Sequence, residues 1–436
     1  MLYRLLKLII GLNIRIYYRE VRVKNRSLLQ QEHPMILISN HPNTLMDAWM
    51  MGYICRQPIY FMAKATFFDS KFKMWLLKSL KMIPINRVGE GTTEGVSNQD
   101  SFSECYRILQ QGKTLVIFPE GTSLLERHLR ELKSGTARIA LEAEAINQGK
   151  LGLRVVPVGL NYTRAEKFRS SVFVNIGQPI LVSDYLKEYE QAKGKTAKKM
   201  TEQFRVRLEQ LIVTSNTKKE EYLVDETMQI LQSKYTRQGV ENAEEEYKLL
   251  RQVRDRLEEF SVTEAYKIEE ISSLVNQISW ETKKLNIRAD FLDRRFRSRM
   301  FLRQLAFSIF FVLLALPIYF FGMIHNYLQF KVTDVLVPKI TKEPEYCAPI
   351  AILIGCVLYP SVYAVFMYLF ADLTHVFGWK VIYFLSMPFT GLFAYLFYKY
   401  MLHIGYKWKY IFLMINKKEA LNSLKESRDK LKTYFE

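Results

Sequence analysis

The sequence predicts an α/β domain, with a mixed sheet flanked by helices, then a charged helical segment and C-terminal transmembrane helices. In the first part of the chain, short apolar runs of strand length alternate with helix-like stretches, which is typical of α/β domains. Three long apolar runs follow at 301–324, 347–370 and 381–398. A run of about 20 apolar residues is long enough to cross a bilayer, so each run predicts a membrane span.

The apolar pattern also predicts the individual elements and the division of the chain. We expect strands near 35–39, 58–63, 83–86, 114–118, 154–160 and 172–176, and helices near 45–55, 70–80, 98–110 and 133–147. The predicted regions are an interfacial amphipathic helix (1–20), the α/β domain (21–190), a charged helical region (191–300), transmembrane helices (301–400) and a basic amphipathic tail (401–436). In the charged region, Val253, Leu257 and Phe260 recur at helical spacing, which indicates packed helix rather than disorder.

Charge and composition favour a membrane partner. The net charge is +18 and aromatic residues make up 14% of the chain, so we expect contact with a lipid bilayer and with acidic ligands rather than with nucleic acid. The N-terminal helix is expected to face lipid or the domain with its apolar residues, which are Leu2, Leu5, Leu6, Ile9 and Ile10. Arginines cluster before the first span, at 288, 294, 295, 297 and 299, and the positive-inside rule then predicts that the α/β domain lies on the cytoplasmic face.

Three spans would carry the lysines of the tail to the opposite face, which the same rule disfavours, so the number of crossings stays open at this stage. His325, His375 and His403 lie among the apolar runs, and we interpret them as interfacial rather than catalytic. No spacing of Cys and His residues predicts a metal site.

The segment Ser39–Asp47 carries the strongest signal for chemistry. It follows the apolar run 35–38 and places His41 six positions before Asp47. A histidine at a strand end, with a carboxylate in the next helical turn, predicts a general base and the group that orients it. Residues six positions apart do not share a face of a regular helix, so a non-helical residue must lie between the two. Pro42 is expected in the first turn of the helix that follows.

Three further blocks follow at strand-like positions. They are Ile83–Arg87, then Val116–Ser123 with Leu132–Gly135 after it, then Val155–Asn161. Together with Ser39–Asp47, this ordered set resembles the four motifs of the glycerophospholipid acyltransferase superfamily over roughly residues 35 to 180. Two features depart from the common pattern: five residues rather than four separate His41 from Asp47, and Ser123 stands where many members carry Arg. The longer spacing, the His-Pro-Asn start at His41 and the Leu-Lys-Ser-Gly continuation at 132–135 resemble the yeast-type glycerol-3-phosphate/dihydroxyacetone-phosphate acyltransferases, which also carry membrane segments after the catalytic domain.

The resemblance implies which residues bind the acceptor. Arg87, Glu120, Gly121 and Thr122 occupy the matching motif positions and inherit that role. Lys64 and Lys133 are further candidates because a phosphorylated acceptor needs cations, and Arg127 or Arg130 is expected to replace the arginine missing at position 123. Backbone N–H groups near Gly121 are expected to stabilise the oxyanion.

The residues of the motifs suit transfer of an acyl group from a thioester to an alcohol. His41 would take the hydroxyl proton and Asp47 would hold the imidazole tautomer. We therefore expect a membrane-bound O-acyltransferase of phosphatidic acid synthesis, with acyl-CoA or acyl carrier protein as co-substrate, no other cofactor and no metal, and glycerol 3-phosphate or dihydroxyacetone phosphate as acceptor. The alternatives are a lysophosphatidate or lyso-aminolipid acyltransferase, and a membrane-anchored lipid-binding protein with a decayed site. Acceptor identity, acyl-chain length and oligomeric state do not follow from the sequence.

Overall fold

The computed structural model describes residues 2–30, 33–86, 97–232, 242–292 and 298–436, without the side chains of residue 290 and residues 298–306. These residues form two compact units. The first comprises 1–221, 242–251 and 344–348, and we call it the α/β unit. The second comprises 222–241, 252–343 and 349–436, and we call it the membrane unit.

The α/β unit is built on a mixed sheet, as predicted. Within the described residues its strands are β1 (Glu20–Lys24), β2 (Met35–Ser39), β3 (Ile59–Lys64), β4 (Met82–Ile85), β5 (Thr114–Ile117), β6 (Arg154–Tyr162), β7 (Ser171–Ile176) and β8 (Ile180–Leu181). They are ordered β1-β7-β6-β2-β5-β3-β4, with β8 paired to β6. The β6–β7 and β6–β8 pairs are antiparallel and the others are parallel. The six predicted strands are confirmed, and β1 and β8 are additional.

Helices cover the sheet and bury its apolar side chains. Those that begin in this unit are α1 (Leu2–Tyr17), α2 (Thr44–Ile54), α3 (Lys71–Ser79), α4 (Asn98–Gln110), α5 (Gly135–Ile146), α6 (Leu186–Gln191), α7 (Lys193–Glu209) and α8 (Lys218–Leu231). One face of the sheet, with Ile36, Leu115 and Val155, packs against buried residues of α4, α5 and α7. Because α7 completes this core, the unit continues past the domain end predicted at residue 190.

The N-terminal helix α1 has an exposed apolar face. Leu5, Leu8, Ile9, Leu12 and Ile16 are exposed, whereas Leu2, Leu6 and Ile10 are half-buried. Two of the residues predicted to face lipid or the domain, Leu5 and Ile9, therefore lie on the open face. Its role at the membrane stays a prediction.

The membrane unit is helical. Its helices after α8 are α9 (Ala243–Thr263), α10 (Ala265–Leu285), α11 (Ser298–Ile340), α12 (Pro344–Ala371), α13 (Phe377–Asn416) and α14 (Lys418–Thr433). Only the part of α9 from Gln252 onward and the part of α12 from Pro349 onward belong to this unit. Val253, Leu257 and Phe260 are buried, as their helical spacing predicts. Within the described residues, three segments are long and apolar enough to cross a membrane: Phe307–Ile340, Pro344–Ala371 and Phe377–Asn416. The second and third contain the predicted runs 347–370 and 381–398, and the first overlaps the predicted run 301–324 from residue 307 onward. The first and third are much longer than predicted because each helix continues beyond its apolar core.

Candidate active site

The site lies where parallel strands of the sheet end. His41 follows β2, Lys64 ends β3, and Glu120 lies just after β5. Because β2, β5 and β3 are adjacent and parallel, their carboxyl ends meet at one edge. Residues from distant parts of the sequence are brought together there.

His41 and Asp47 form a hydrogen-bonded pair. The His41 Nδ1 atom lies 2.9 Å from Oδ2 of Asp47, whose side chain is completely buried. The helix begins at Thr44, so residues 41–43 are the non-helical connection that the spacing requires. The prediction that Pro42 lies in the first helical turn is wrong: Pro42 and Asn43 form a bend that precedes the helix, which starts at Thr44.

The Asp47 carboxylate is held by two further donors. Its Oδ2 accepts the N–H of Asn43 at 2.6 Å, and its Oδ1 accepts the hydroxyl of Tyr162 at 2.7 Å. Burial, reinforced by the negative charge of Asp47, raises the pKa of Tyr162 well above its ordinary value. The hydroxyl therefore stays protonated and keeps donating to Asp47. The sequence reasoning missed Tyr162; its only signal is that it ends the last motif strand.

The His41 ring has one open nitrogen. Its face stacks on Phe118 with 4.0 Å between ring centroids, and its side chain is 13% exposed. Within the described part of the chain, Nε2 makes no hydrogen bond. With Nδ1–H donating to Asp47, Nε2 carries the lone pair and can accept a proton.

Main-chain contacts fix the position of His41. The Asn40 side chain bonds to both main-chain groups of Leu160, at 2.8 and 3.0 Å, and so continues the β2–β6 pairing beyond Ser39. The His41 N–H donates to Oε1 of Glu120 at 2.8 Å, and the His41 carbonyl accepts the N–H of Leu124 at 3.3 Å. The chain can leave the sheet here because side chains make the hydrogen bonds that a neighbouring strand would otherwise make with the main chain.

In this structure, Glu120 forms hydrogen bonds with main-chain groups of the protein itself. It is buried, and its two carboxylate oxygens accept the N–H groups of His41 and Arg130. Burial raises the pKa of Glu120, although these two N–H donors partly oppose the shift. Its inherited role in acceptor binding stays a prediction, and the contacts describe a residue that joins the His41 turn to the loop after β5.

Cations lie along the same loop. The Arg130 guanidinium donates to Oγ1 of Thr122 at 3.1 Å, so Arg130 approaches the position expected for the missing arginine. The Nζ atom of Lys133 lies 3.0 Å from the point that a Cβ on Gly121 would occupy. Gly121 has a φ of +76°, which a side chain rarely adopts, so glycine is needed here on both counts.

The remaining predicted site groups are the backbone N–H groups near Gly121, Arg87 and Lys64. The Gly121 N–H donates to the Phe118 carbonyl at 3.1 Å, so this one group is already occupied. That backbone N–H groups near Gly121 stabilise an oxyanion stays a prediction. Arg87 lies outside the described residues. Lys64 is half-buried at the end of β3, opposite Ile85 of β4.

Comparisons with known proteins match the part of the chain that contains this site. Residues 20–161 match the family model described as Acyltransferase. The chain is 33% identical over 108 residues to glycerol-3-phosphate O-acyltransferase 2 of Saccharomyces cerevisiae, a match that covers 24% of this chain and 14% of that protein. It is 29% identical over 113 residues to a probable 1-acyl-sn-glycerol-3-phosphate acyltransferase of Mycoplasma pneumoniae, covering 25% of this chain and 40% of that protein.

A solved structure and another fungal protein also match. The crystal structure of the 1-acyl-sn-glycerophosphate acyltransferase from Thermotoga maritima is 20% identical, with a TM-score of 0.31, and the match covers 46% of this chain and 80% of that one. An uncharacterized acyltransferase of Schizosaccharomyces pombe is 32% identical over 97 residues, or 22% of this chain. The match spans only 14% of the length of each of the two fungal relatives.

Proposed function

Since residues 20–161 belong to the acyltransferase family, we propose that this protein is a membrane-bound O-acyltransferase of phosphatidic acid synthesis. It would move a fatty acyl group from acyl-CoA or acyl carrier protein to glycerol 3-phosphate or dihydroxyacetone phosphate. The observation that carries the proposal is the His41 imidazole, with Nδ1 on the buried Asp47 carboxylate and Nε2 left for a substrate proton.

The proposed reaction is a direct transfer. His41 Nε2 takes the proton of the acceptor hydroxyl as its oxygen attacks the thioester carbonyl carbon. The C–S bond of the resulting tetrahedral intermediate breaks, and the thiolate leaves with the proton returned by His41. Asp47 stabilises the imidazolium in between, as the aspartate does in serine hydrolases. The products are an ester and a free thiol, and together they contain every atom of the alcohol and the thioester.

The cations at the site support an anionic acceptor. Arg130, held on Thr122, and Lys133, lying against Gly121, are in the loop that Glu120 ties to His41. A guanidinium can bind a phosphate through two parallel N–H bonds. We propose that Arg130 and Lys133 bind the acceptor phosphate together with Arg87 and Lys64.

The experiment is an acceptor panel. The purified full-length protein in nanodiscs is given a labelled acyl donor, either acyl-CoA or acyl carrier protein, with glycerol 3-phosphate, dihydroxyacetone phosphate, lysophosphatidate or a lyso-aminolipid. We expect the highest kcat/KM with one of the first two acceptors. A preference for lysophosphatidate would contradict the proposed acceptors. It would instead support the activity for which the Mycoplasma relative is named. Tight lipid binding without turnover on any acceptor would leave a lipid-binding protein and refute the enzyme.

We also propose that the active site faces the cytoplasm. Three long apolar helices support integration in the membrane, and Arg288 with the neighbouring arginines supports this orientation. In sealed vesicles of known orientation, acyl-CoA added to the cytoplasmic face alone should support turnover. Turnover only with donor on the other face would contradict the orientation and leave the chemistry intact.

A further inference from the structure

A short segment far along the sequence belongs to the α/β unit. Residues 344–348 form part of this unit, although they follow His41 by about 300 positions. The Thr44 hydroxyl donates to the main-chain carbonyl of Glu345 at 2.9 Å. Both residues are buried, with exposures of 6% for Thr44 and 4% for Glu345. This hydrogen bond is therefore shielded from water, where its loss leaves an acceptor unsatisfied.

Thr44 needs such a partner because its backbone is strained. Its φ is +39°, in the left-handed region that β-branched residues rarely adopt. Asn43 before it has φ −140°, so the chain reverses its conformation between these two residues. Thr44 also begins the helix that carries Asp47. Its conformation sets where that helix starts relative to His41, and hence the distance between imidazole and carboxylate.

We propose that the Thr44–Glu345 bond is a positioning contact for the catalytic pair. Thr44 touches no reacting atom in this mechanism. It acts through Asn43 and Asp47, because the Asn43 N–H that donates to Asp47 belongs to the same turn. The residues 344–348 thus complete an active site whose chemistry lies at 41–47. The inference rests on the proposed function, and its tests are chosen to fail separately from it.

The first test compares substitutions at Thr44 in the full-length protein. Thr44→Val keeps the shape and removes the hydroxyl, so we expect kcat to fall about tenfold, with little change in the donor KM. Thr44→Ser restores the donor and should return kcat to within about twofold of wild type. Thr44→Gly loses the bond but adopts positive φ without strain, so it should fall between the two. Thr196→Val is the matched control, because Thr196 is buried and donates to the carbonyl of Ala192, the residue that precedes its own helix.

A pH profile separates positioning from general destabilisation. If the His41–Asp47 pair loosens, the acid limb of kcat/KM in Thr44→Val should move, since Asp47 no longer supports the imidazolium equally. If the acid limb of the profile is unchanged and only the height of the profile is lower, the variant sample simply contains less folded protein. That result would overturn the inference. If His41→Ala abolishes turnover while Thr44→Val matches wild type, the inference fails and the proposed function stands. If His41→Ala is fully active, the proposed function itself fails.

A second measurement does not depend on the folding of Thr44 variants. The bond requires Glu345 and His41 to lie on the same face of the membrane. Cys347, half-buried two residues later, is a native reporter. In sealed vesicles that turn over externally added acyl-CoA, a membrane-impermeant maleimide should label a variant that keeps only Cys347. A variant that keeps only Cys356, deeper in the same helix, is the control and should react much more slowly. Labelling of Cys347 only after the vesicles are opened would refute the contact.

Discussion

Each unit of this protein contains a histidine that is largely shielded from solvent, and the two are held differently. In the α/β unit, the half-buried His41 has one nitrogen on a carboxylate and the other without a partner among the described residues. In the membrane unit, His325 has both nitrogens engaged: Nδ1 lies 2.7 Å from the Phe321 carbonyl and Nε2 lies 2.7 Å from the Tyr383 hydroxyl. A proton acceptor needs a free lone pair and a group that stabilises the cation, and only His41 has both.

His325 lies in a group of hydrogen bonds that connects the helices of the membrane unit. Its neighbour Asn326 donates to the carbonyls of Gly322 and Met387, at 2.9 and 3.0 Å, and accepts the hydroxyl of Tyr363. These contacts join α11, α12 and α13. Apolar side chains gain little by associating inside lipid, so interhelical hydrogen bonds and small residues stabilise such packing. His325 is buried, with 5% exposure, in a polar helix contact. That it lies at the membrane interface and is not catalytic stays a prediction.

The largest expected effect separates the two histidines directly. His41→Ala should lower kcat by at least about a hundredfold, the low end for loss of a general base, and Asp47→Asn should be similarly severe because it misorients the ring. His325→Ala should keep turnover near wild type while lowering the thermal midpoint. Initial rates and thermal unfolding in the same detergent check both. A folded His41→Ala protein with near-normal turnover would contradict the comparison.

Close packing in the membrane unit gives the second prediction. A Cβ on Gly391 would lie 2.4 Å from Cγ of Asn326, whereas Gly405 on the same helix has nothing within 4 Å. Gly391→Ala should cost about 2 kcal/mol of stability, within the usual range for overpacking. Gly405→Ala is the control and should be neutral or slightly stabilising. Equal melting temperatures for the two variants would mean that Asn326 is not tightly packed.

The third prediction concerns the donors on Asp47. Tyr162→Phe removes the hydroxyl on Oδ1 and leaves a buried acceptor unsatisfied, so kcat should fall about tenfold, equivalent to about 1.4 kcal/mol. Tyr189→Phe is the matched control, because its hydroxyl binds Glu142 away from the site. Steady-state kinetics decide the matter. If both variants retain full activity, Tyr162 contributes packing alone.

The smallest expected effect is a pH dependence of the stability of the α/β unit. Burial raises the folded-state pKa of Glu120 above its ordinary value of 4.5. A raised pKa favours the folded state below the unfolded-state pKa, and this contribution is lost as pH rises through the folded-state pKa. Because glutamine does not titrate, the stability of wild type relative to Glu120→Gln should decrease as pH rises above about 4.5. Melting curves of both proteins across that window test the sign; parallel curves would contradict it.

Local patterns in the sequence determined most elements and the residues of the catalytic pair. Alternation of apolar runs predicted six of the strands, and apolar runs of spanning length predicted the three long apolar helices, because side-chain periodicity and length are local properties. The spacing of His41 and Asp47 predicted that the helix between them starts late. These predictions needed no knowledge of which segments meet.

Only the tertiary structure decided what surrounds that pair. Tyr162 reaches Asp47 across 115 positions because β6 pairs with β2 in one register, and Glu345 reaches Thr44 across 301 positions. The same holds for the Gly121 N–H, which the loop uses internally, and for His325, which packing turns inward. A sequence shows which side chains can donate, accept or ionise. Which partner each one finds depends on strand register and helix packing, where groups far apart in the chain compete for the same buried contacts.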